Sequence, residues 1–407
     1  MHATLSLPTR ILNYLKIKVE NYTRPNKEFD LIIIDDLFPY LMTIFRVVEF
    51  NYYLEHIPNT VVYASGTALK FVKVDDSLPE VVSKYEETYP QHRGKVLKFD
   101  SRRKLRGKLA YTVFLHNTFT FLPMLERDSI PFVFTLYAGG TFELDNERSD
   151  MQLRKICASK MLRKIIVKEK VIRDYLINRQ FCPADKIEFI FGGIMEVERL
   201  TKSAIPRPLY GHTKSTFDIC FVGFKYMPRG SDKGYDTFVD TARLLCARHS
   251  DVRFHVVGGF SSDDIDVSDM ADRFTFYGPR TIDFFLEFYA RMDVLLSPNI
   301  PYTLGKGAFD GFPLGTVADA ALSGVAIFCT DYLHENQAFV PGKDIEIINN
   351  DPQHLADTLT DYYEKYDRLI ELGRNGRMKF AEVFSVEKQM MPRVALLNKL
   401  LKEITAA

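Results

Sequence analysis

Apolar runs alternate with amphipathic stretches along the first half of the chain. The run FDLIIIDD (29–36) has apolar residues on both faces, and comparable runs recur as TVVYAS, KLAYTVFLHN, PFVFTLY, RKIIVKE and KIEFIF. Strands that are apolar on both faces are typical of parallel sheets, and stretches with helical spacing separate these runs. The pattern therefore predicts βαβ units that build a doubly wound sheet.

A second alternating series follows a polar, proline-containing stretch at 201–217 (TKSAIPRPLYGHTKSTF), which we interpret as an interdomain linker. Strands are predicted at DICFVGF, RFHVVGGF, FTFYG, DVLLSPN and VAIFCTD, with helices at DTFVDTARLLCARH, DFFLEFYARM, GTVADAALSG and from Asp351 onward. We therefore expect an α/β protein of two Rossmann-like domains, at 1–205 and 206–385, that face each other across a cleft. The remaining residues, 386–407, are predicted to form a C-terminal helix for which packing back on the N-terminal domain is one option.

Residues 8–24 carry a separate apolar stripe at helical spacing, formed by Ile11, Leu12, Leu15, Val19 and Tyr22. Such a stripe suits either a helix that docks on its own domain or one that lies on a membrane surface. We favour docking on the domain.

Cysteine content and the length of apolar runs indicate the cellular compartment. The chain has 407 residues, and its five cysteines are far apart without a Cys-x-x-Cys pair, which argues against a disulfide framework or a structural zinc site. No apolar run reaches the roughly 20 residues that span a bilayer, and the N-terminus lacks the pattern of a secretory signal. We expect a cytoplasmic protein, with peripheral contact at the inner membrane surface as an option.

Charge is divided unevenly although the net charge is zero. Through Ile205 there are 31 Lys and Arg against 25 Asp and Glu, and the remainder has 22 against 28. A basic N-terminal half suits an anionic acceptor or an anionic membrane surface, whereas random scatter is the alternative.

The first candidate site is the loop FVGFKYMPRGSDKGYDTF. A predicted strand ends at Gly223, and Lys233-Gly234 opens the next helix. A helix N-terminus offers free N–H groups to phosphate, and Lys233 with Lys225 or Arg229 adds full positive charge. Fixed cations would stabilise the charge that builds on a departing nucleoside diphosphate. The alternative is a solvated loop with scattered basic residues.

The second candidate site is FDGFPLGTVADAALSG, which also runs from a loop into a helix. Gly311 and Gly315 permit tight backbone geometry, with Asp310 in the loop and Asp319 on the helix. Two carboxylates could accept hydrogen bonds from vicinal hydroxyls, one from a donor sugar and the other from a ribose. An exposed helix position is the alternative for Asp319, but small and apolar residues surround it.

The third candidate site lies in the first half, where His116-Asn117 and Tyr137 follow predicted strands and Gly139-Gly140 comes just after. Ligand contacts concentrate at strand ends, although a lone histidine is often structural. Two further patterns are discounted. Asp264-Ile265-Asp266 is interpreted as a solvated loop, and the basic residues at 102–108 lack any motif for nucleic acid, so no nucleic-acid partner is expected.

The order of motifs in the second half resembles the large retaining GT-B group that includes bacterial polysaccharide glycosyltransferases (glycosyltransferase family 4-like). The resemblance rests on FVGF followed by Lys233-Gly234, on HVVGGF, on FYG before DVLLSPN, and on DGFP before DAALSGVAI. KIEFIFGGI resembles the strand and the following Asn-Gly pair that precede the linker in that group. The clear match covers 185–331.

The resemblance implies a hexosyltransferase-type enzyme that needs no metal and moves a sugar, with retention, from a nucleotide diphosphate sugar to a glycan or lipid-linked acceptor in bacterial-type envelope polysaccharide synthesis. The implied catalytic residues are Lys233, Asp310 and His116. The implied donor-binding residues are Gly223, Lys225, Arg229, Lys233, Gly258, Pro298, Asp310, Gly311, Phe312, Gly315 and Asp319. The implied acceptor-side residues are His116, Asn117, Tyr137, Gly139 and Gly140.

The sequence departs from the group at several of these positions. Phe224 replaces an arginine, Tyr137 replaces a histidine, and DDLFPYLM stands where a glycine-rich loop is usual. Asp310 and Asp319 replace glutamates, with one extra residue between them. Two alternatives therefore stay open: a GT-B-shaped pseudoenzyme or nucleotide-sugar-binding module of a larger synthase, and a sugar-nucleotide 2-epimerase.

Overall fold

Seven parallel strands form the first sheet in the computed structural model, which describes residues 28–202 and 205–406. The strands are β1 Phe29–Asp35, β2 Thr60–Ala64, β3 Val96–Lys98, β4 Gly107–Val113, β5 Phe132–Leu136, β6 Leu162–Val167 and β7 Ile187–Phe189, in the order β3-β2-β1-β4-β5-β6-β7. The helices are α1 Ile44–His56, α2 Leu78–Thr88, α3 Leu115–Arg127, α4 Glu147–Ala158, α5 Lys170–Asn178 and α6 Val197–Thr201. The predicted helical stripe at 8–24 lies outside the described residues.

The second sheet has six parallel strands. They are β8 Phe217–Val222, β9 Val252–Val257, β10 Phe274–Gly278, β11 Val294–Ser297, β12 Ala326–Thr330 and β13 Glu346–Ile348, in the order β10-β9-β8-β11-β12-β13. The helices are α7 Tyr235–Arg248, α8 Ile282–Ala290, α9 Gly315–Leu322, α10 Pro352–Glu364, α11 Tyr366–Val383 and α12 Val386–Ala406.

Alternate residues of β1 explain why the interior of this strand, 31–34, is apolar throughout. Leu31 and Ile33 belong to one core cluster, whereas Ile32 and Ile34 belong to another on the opposite face. Because helices cover both faces of the sheet, every residue of the strand interior is removed from water. The prediction of a doubly wound architecture is confirmed.

Two details differ from the sequence prediction. The short edge strands β3 and β13 were not predicted, because neither lies in a longer apolar run such as the KIEFIF segment that revealed the equally short β7. His116 and Asn117 were placed in strand-end positions, but β4 ends at Val113 and both residues lie in the first turn of α3.

Helix α12, at the end of the chain, packs on the first domain. Met390, Leu397 and Leu400 join the core cluster that contains residues of β1 and β4. Arg393, fully buried, lies with its Nε 3.9 Å from Oε1 of Glu49 on α1. None of the helices within 28–202 and 205–406 is long and apolar enough to cross a membrane.

Candidate functional site

The candidate site lies at the carboxyl edge of the second sheet, where the strand order reverses between β8 and β11. Loops that leave two neighbouring strands in opposite directions open a crevice at such a point. Gly223 follows β8 and Pro298-Asn299 follows β11, so the first and second candidate loops start side by side.

Two glycines allow close backbone contacts at the first loop, Gly234 within the loop and Gly258 directly after β9. Gly234 has φ +69°, and a Cβ on it would lie 2.0 Å from the carbonyl oxygen of Pro298. Gly258 has φ +132°, and a Cβ there would lie 2.0 Å from the carbonyl oxygen of Gly223. Only glycine allows these approaches. The approach of Gly234 to Pro298 places the preceding residue, Lys233, beside the end of β11.

Lys233 and Asp310 form an ion pair between the first and second loops. Asn299 donates a 2.9 Å hydrogen bond to the same oxygen of Asp310, and the Tyr226 ring lies 5.3 Å from the Lys233 ammonium nitrogen. The Lys233 side chain is 10% exposed and that of Asp310 is 42% exposed. The cation is thus fixed and its carboxylate partner is open to solvent, so an incoming phosphate could take the place of that carboxylate.

The other two predicted cations of the first loop are placed differently. Lys225 donates to both oxygens of Asp264 at 2.7 and 2.9 Å, so two hydrogen bonds tie its ammonium group to one carboxylate. Asp264 also accepts from the Ser261 backbone N–H and is only 14% exposed, in contrast to the solvated loop expected from the sequence. Arg229 is exposed, with φ +58°.

Asp319 is half-buried on α9, in the second candidate loop region. Burial raises the pKa of its carboxyl group to about 7, an effect that the Arg199 guanidinium opposes. None of the described residues forms a hydrogen bond with this carboxyl group, so it is free to bind a ligand hydroxyl. Gly315 is exposed at the first position of α9, whereas the Phe312 side chain is buried in the core beneath the loop.

On the first domain, the predicted acceptor-side residues divide into exposed and buried ones. His116 is exposed, and Gly139-Gly140 adopts positive φ in a turn against the Phe114 ring. Asn117 is buried and its side chain is 3.4 Å from Asp35, and the Tyr137 hydroxyl points into the core, 3.5 Å from Glu49. The last two side chains therefore support the loop from beneath.

Three groups of charged residues near the cleft were not predicted from the sequence. Arg46 binds Asp35 at 3.1 Å and lies 3.5 Å from Asp36, whose pKa is raised to about 6, chiefly by burial. Lys168 and Glu169 follow β6 and lie against Gly311. Lys168 and Glu169 come directly after a buried strand, and this position could have identified them as candidate site residues, as it did for His116.

The third missed group is Glu335, which follows β12. Its carboxylate accepts hydrogen bonds from the backbone N–H groups of Lys170 and Val171 in the other domain. No pattern in the sequence marks this contact.

No group of three or more His, Cys, Asp or Glu side chains that could hold a metal ion occurs in the described ranges.

Comparison with known proteins agrees with this architecture. Residues 216–365 match the family model described as glycosyl transferases group 1. Sucrose-phosphate synthase from Thermosynechococcus elongatus superposes with a TM-score of 0.59 at 13% identity, over 93% of this chain and 100% of that one. The fold is GT-B.

Two further GT-B structures are similar. Anabaena HepE, in complex with UDP-glucose, has a TM-score of 0.59 and 14% identity, over 93% of this chain and 100% of that one. A glycosyltransferase from Rickettsia africae has a TM-score of 0.60 and 13% identity, over 92% and 99%. No curated protein sequence matches the chain. At these identities the likeness is one of fold, and the substrates of this GT-B protein must be argued from its own residues.

Proposed function

We propose that the chain is a glycosyltransferase that moves a sugar from a nucleoside diphosphate sugar to an acceptor held by the first domain. The observation that carries the proposal is the ion pair between Lys233 and Asp310, set at the switch point of the second sheet. The match of residues 216–365 to group 1 glycosyltransferases supports it.

Each group at the site has a role in this proposal. Lys233 stabilises the negative charge that develops on the departing diphosphate, together with free N–H groups at the start of α9. Asp310 accepts hydrogen bonds from the transferred sugar and Asp319 from the ribose. Lys233 is the main phosphate cation of the second domain, because its partner Asp310 is open to solvent, whereas Lys225 donates hydrogen bonds to both oxygens of Asp264.

The finer features of the proposal come from the resemblance of the sequence motifs. They are transfer of a hexose with retention, an oxocarbenium-like transition state, and a donor phosphate oxygen that accepts the proton of the acceptor hydroxyl. A glycan or lipid-linked acceptor of a bacterial-type envelope pathway, reached at the inner face of a membrane, suits the basic first half of the chain.

Donor binding is the first test. Thermal unfolding of the protein is measured with UDP, GDP, ADP, dTDP and CMP, in the wild type, in Lys233→Ala and in the control Lys84→Ala. Lys84 pairs with Asp76 on the surface of the first domain and is 59% exposed. A ligand at a hundred times its dissociation constant adds about 2.7 kcal/mol to the folded state. We expect one diphosphate to stabilise the wild type and the control but not Lys233→Ala; stabilisation by none would contradict the proposal.

Turnover is the second test. UDP-glucose is the first donor to try, because HepE was solved with it. Release of free sugar in water supports a transferase, whereas an epimerised nucleotide sugar identifies an epimerase. Binding without either product identifies a nucleotide-sugar-binding module.

A further inference from the structure

The first domain brings a second lysine to the second candidate loop. A Cβ built on Gly311 would lie 2.7 Å from the Lys168 ammonium nitrogen and 2.2 Å from Oε1 of Glu169. The preceding residue, Asp310, pairs with Lys233. The ammonium groups of Lys168 and Lys233, one from each domain, therefore lie beside the consecutive residues Gly311 and Asp310.

Glu169 is placed at a cost in free energy. Its side chain is fully buried, and within the described residues its carboxylate forms an ion pair with Lys168 but has no further side-chain partner. Lys168 faces it, with Nζ 3.0 Å from Oε1, and burial raises the pKa of the Glu169 carboxyl group. Glu169 occupies the N-cap position of α5 but does not cap the helix, because its side chain lies against Gly311 instead. A buried, incompletely satisfied carboxylate in a cleft is a mark of a functional site rather than a stabilising one.

Two ion pairs lie in this part of the cleft, Lys233 with Asp310 and Lys168 with Glu169. The donor sugar must point toward the acceptor, and in the proposed reaction the acceptor lies on the first domain. The β-phosphate, which carries the sugar, then lies nearer to that domain than the α-phosphate does. Lys168, a lysine of the first domain, is therefore placed to contact the β-phosphate.

We propose that Lys168 is a donor-binding residue that contacts the β-phosphate, so that Lys168 and Lys233 hold the diphosphate across the two domains, and that Glu169 is a positioning residue for Lys168. This inference rests on the proposed function. It extends the phosphate site to a residue outside the segment that matches group 1 glycosyltransferases.

The test compares diphosphate with monophosphate. Dissociation constants of UDP and UMP, or of the corresponding pair for the base selected by thermal unfolding, are measured by calorimetry on the wild type, Lys168→Gln and Lys168→Arg. Lys160→Gln is the control, because Lys160 is exposed just before β6, at the opposite end of the strand. We expect Lys168→Gln to weaken UDP binding about tenfold or more, on the scale of one lost charged hydrogen bond, and UMP binding by less than about twofold. Lys168→Arg should restore most of the affinity for UDP.

A double variant controls for misfolding caused by an unpaired buried charge. Lys168→Gln alone leaves Glu169 buried without its cation, whereas Lys168→Gln/Glu169→Gln removes both charges. The double variant should show the same selective loss of UDP affinity. An equal loss for UDP and UMP, or an unchanged preference for UDP, overturns the role of Lys168. If UDP binds and depends on Lys233 but not on Lys168, the proposed function stands and this inference falls; if no nucleoside diphosphate binds the wild type, both fall.

Discussion

Glu335 accepts a 2.8 Å hydrogen bond from the backbone N–H of Val171, across the boundary between the two domains. Its other carboxylate oxygen accepts the N–H of Lys170, so an acid of the second domain caps α5 of the first. The first N–H groups of a helix have no partner within the helix, and the helix dipole favours a negative charge there. The contact therefore stabilises the arrangement in which the two domains lie together.

Replacing Glu335 by Ala should lower the free energy of unfolding by about 1 kcal/mol, as expected for a lost helix cap, and should let the domains separate. Small-angle scattering should then give a larger radius of gyration. The control is Glu80→Ala, which removes the capping box of α2 within the first domain. It should leave the radius of gyration unchanged. The same radius of gyration in both variants would show that Glu335 does not hold the domains together.

Replacing Lys233 by Ala should reduce the rate of donor hydrolysis or sugar transfer by about a hundredfold, because one charge-stabilising donor is lost from the transition state. Initial rates at saturating donor measure the effect. Lys84→Ala should have the rate of the wild type. Unchanged turnover in Lys233→Ala would remove this lysine from the catalytic machinery.

The raised pKa of Asp319, about 7, predicts how stability depends on pH. An unfolded aspartate ionises near 3.8, so between about pH 4 and pH 7 the folded state holds a proton that the unfolded state has lost. The wild type therefore loses stability relative to Asp319→Asn as pH rises through this window, and the difference is constant above it. Urea unfolding of both proteins at pH 5 and pH 8 measures the change. A stability difference that is equal at the two pH values would contradict the raised pKa.

Asp319 should also make nucleotide affinity depend on pH if it binds the ribose. The ionised carboxylate is the better acceptor, so the affinity for the diphosphate should fall below about pH 7 in the wild type. Asp319→Asn should bind more weakly at pH 8 and show a smaller dependence on pH. Calorimetric titrations at pH 6 and pH 8 separate these outcomes.

Phe309 fixes the loop of the second domain to the first. Its side chain is 7% exposed, lies 6.2 Å from the Phe142 ring between centroids, and belongs to a core cluster of the first domain. Phe309→Ala should reduce the free energy of unfolding by about 3 kcal/mol, at the lower end for buried phenylalanine because the loop can relax. Leu304→Ala is the matched control, since Leu304 is 53% exposed on the same loop, and it should change stability by less than about 0.5 kcal/mol. Equal effects in urea unfolding would place Phe309 outside the core.

Much of the fold was determined by local sequence pattern. The apolar runs that became β1, β4, β5, β6 and β8 are continuous because both faces of each sheet are covered, and this property is visible without knowledge of the partners. The loops that carry Lys233 and Asp310 were also visible, because glycines and charged residues follow buried strands there.

Only the tertiary structure decided which side chains meet. Lys233 and Asp310 are 77 positions apart, and Val171 and Glu335 are 164 apart, so neither contact leaves a local signature. The direction of a side chain is likewise set by packing: Tyr137 follows β5 as predicted, yet its hydroxyl turns into the core toward Glu49. Periodicity reports whether a position is apolar or polar, whereas contacts across domains depend on how two finished sheets are placed against each other.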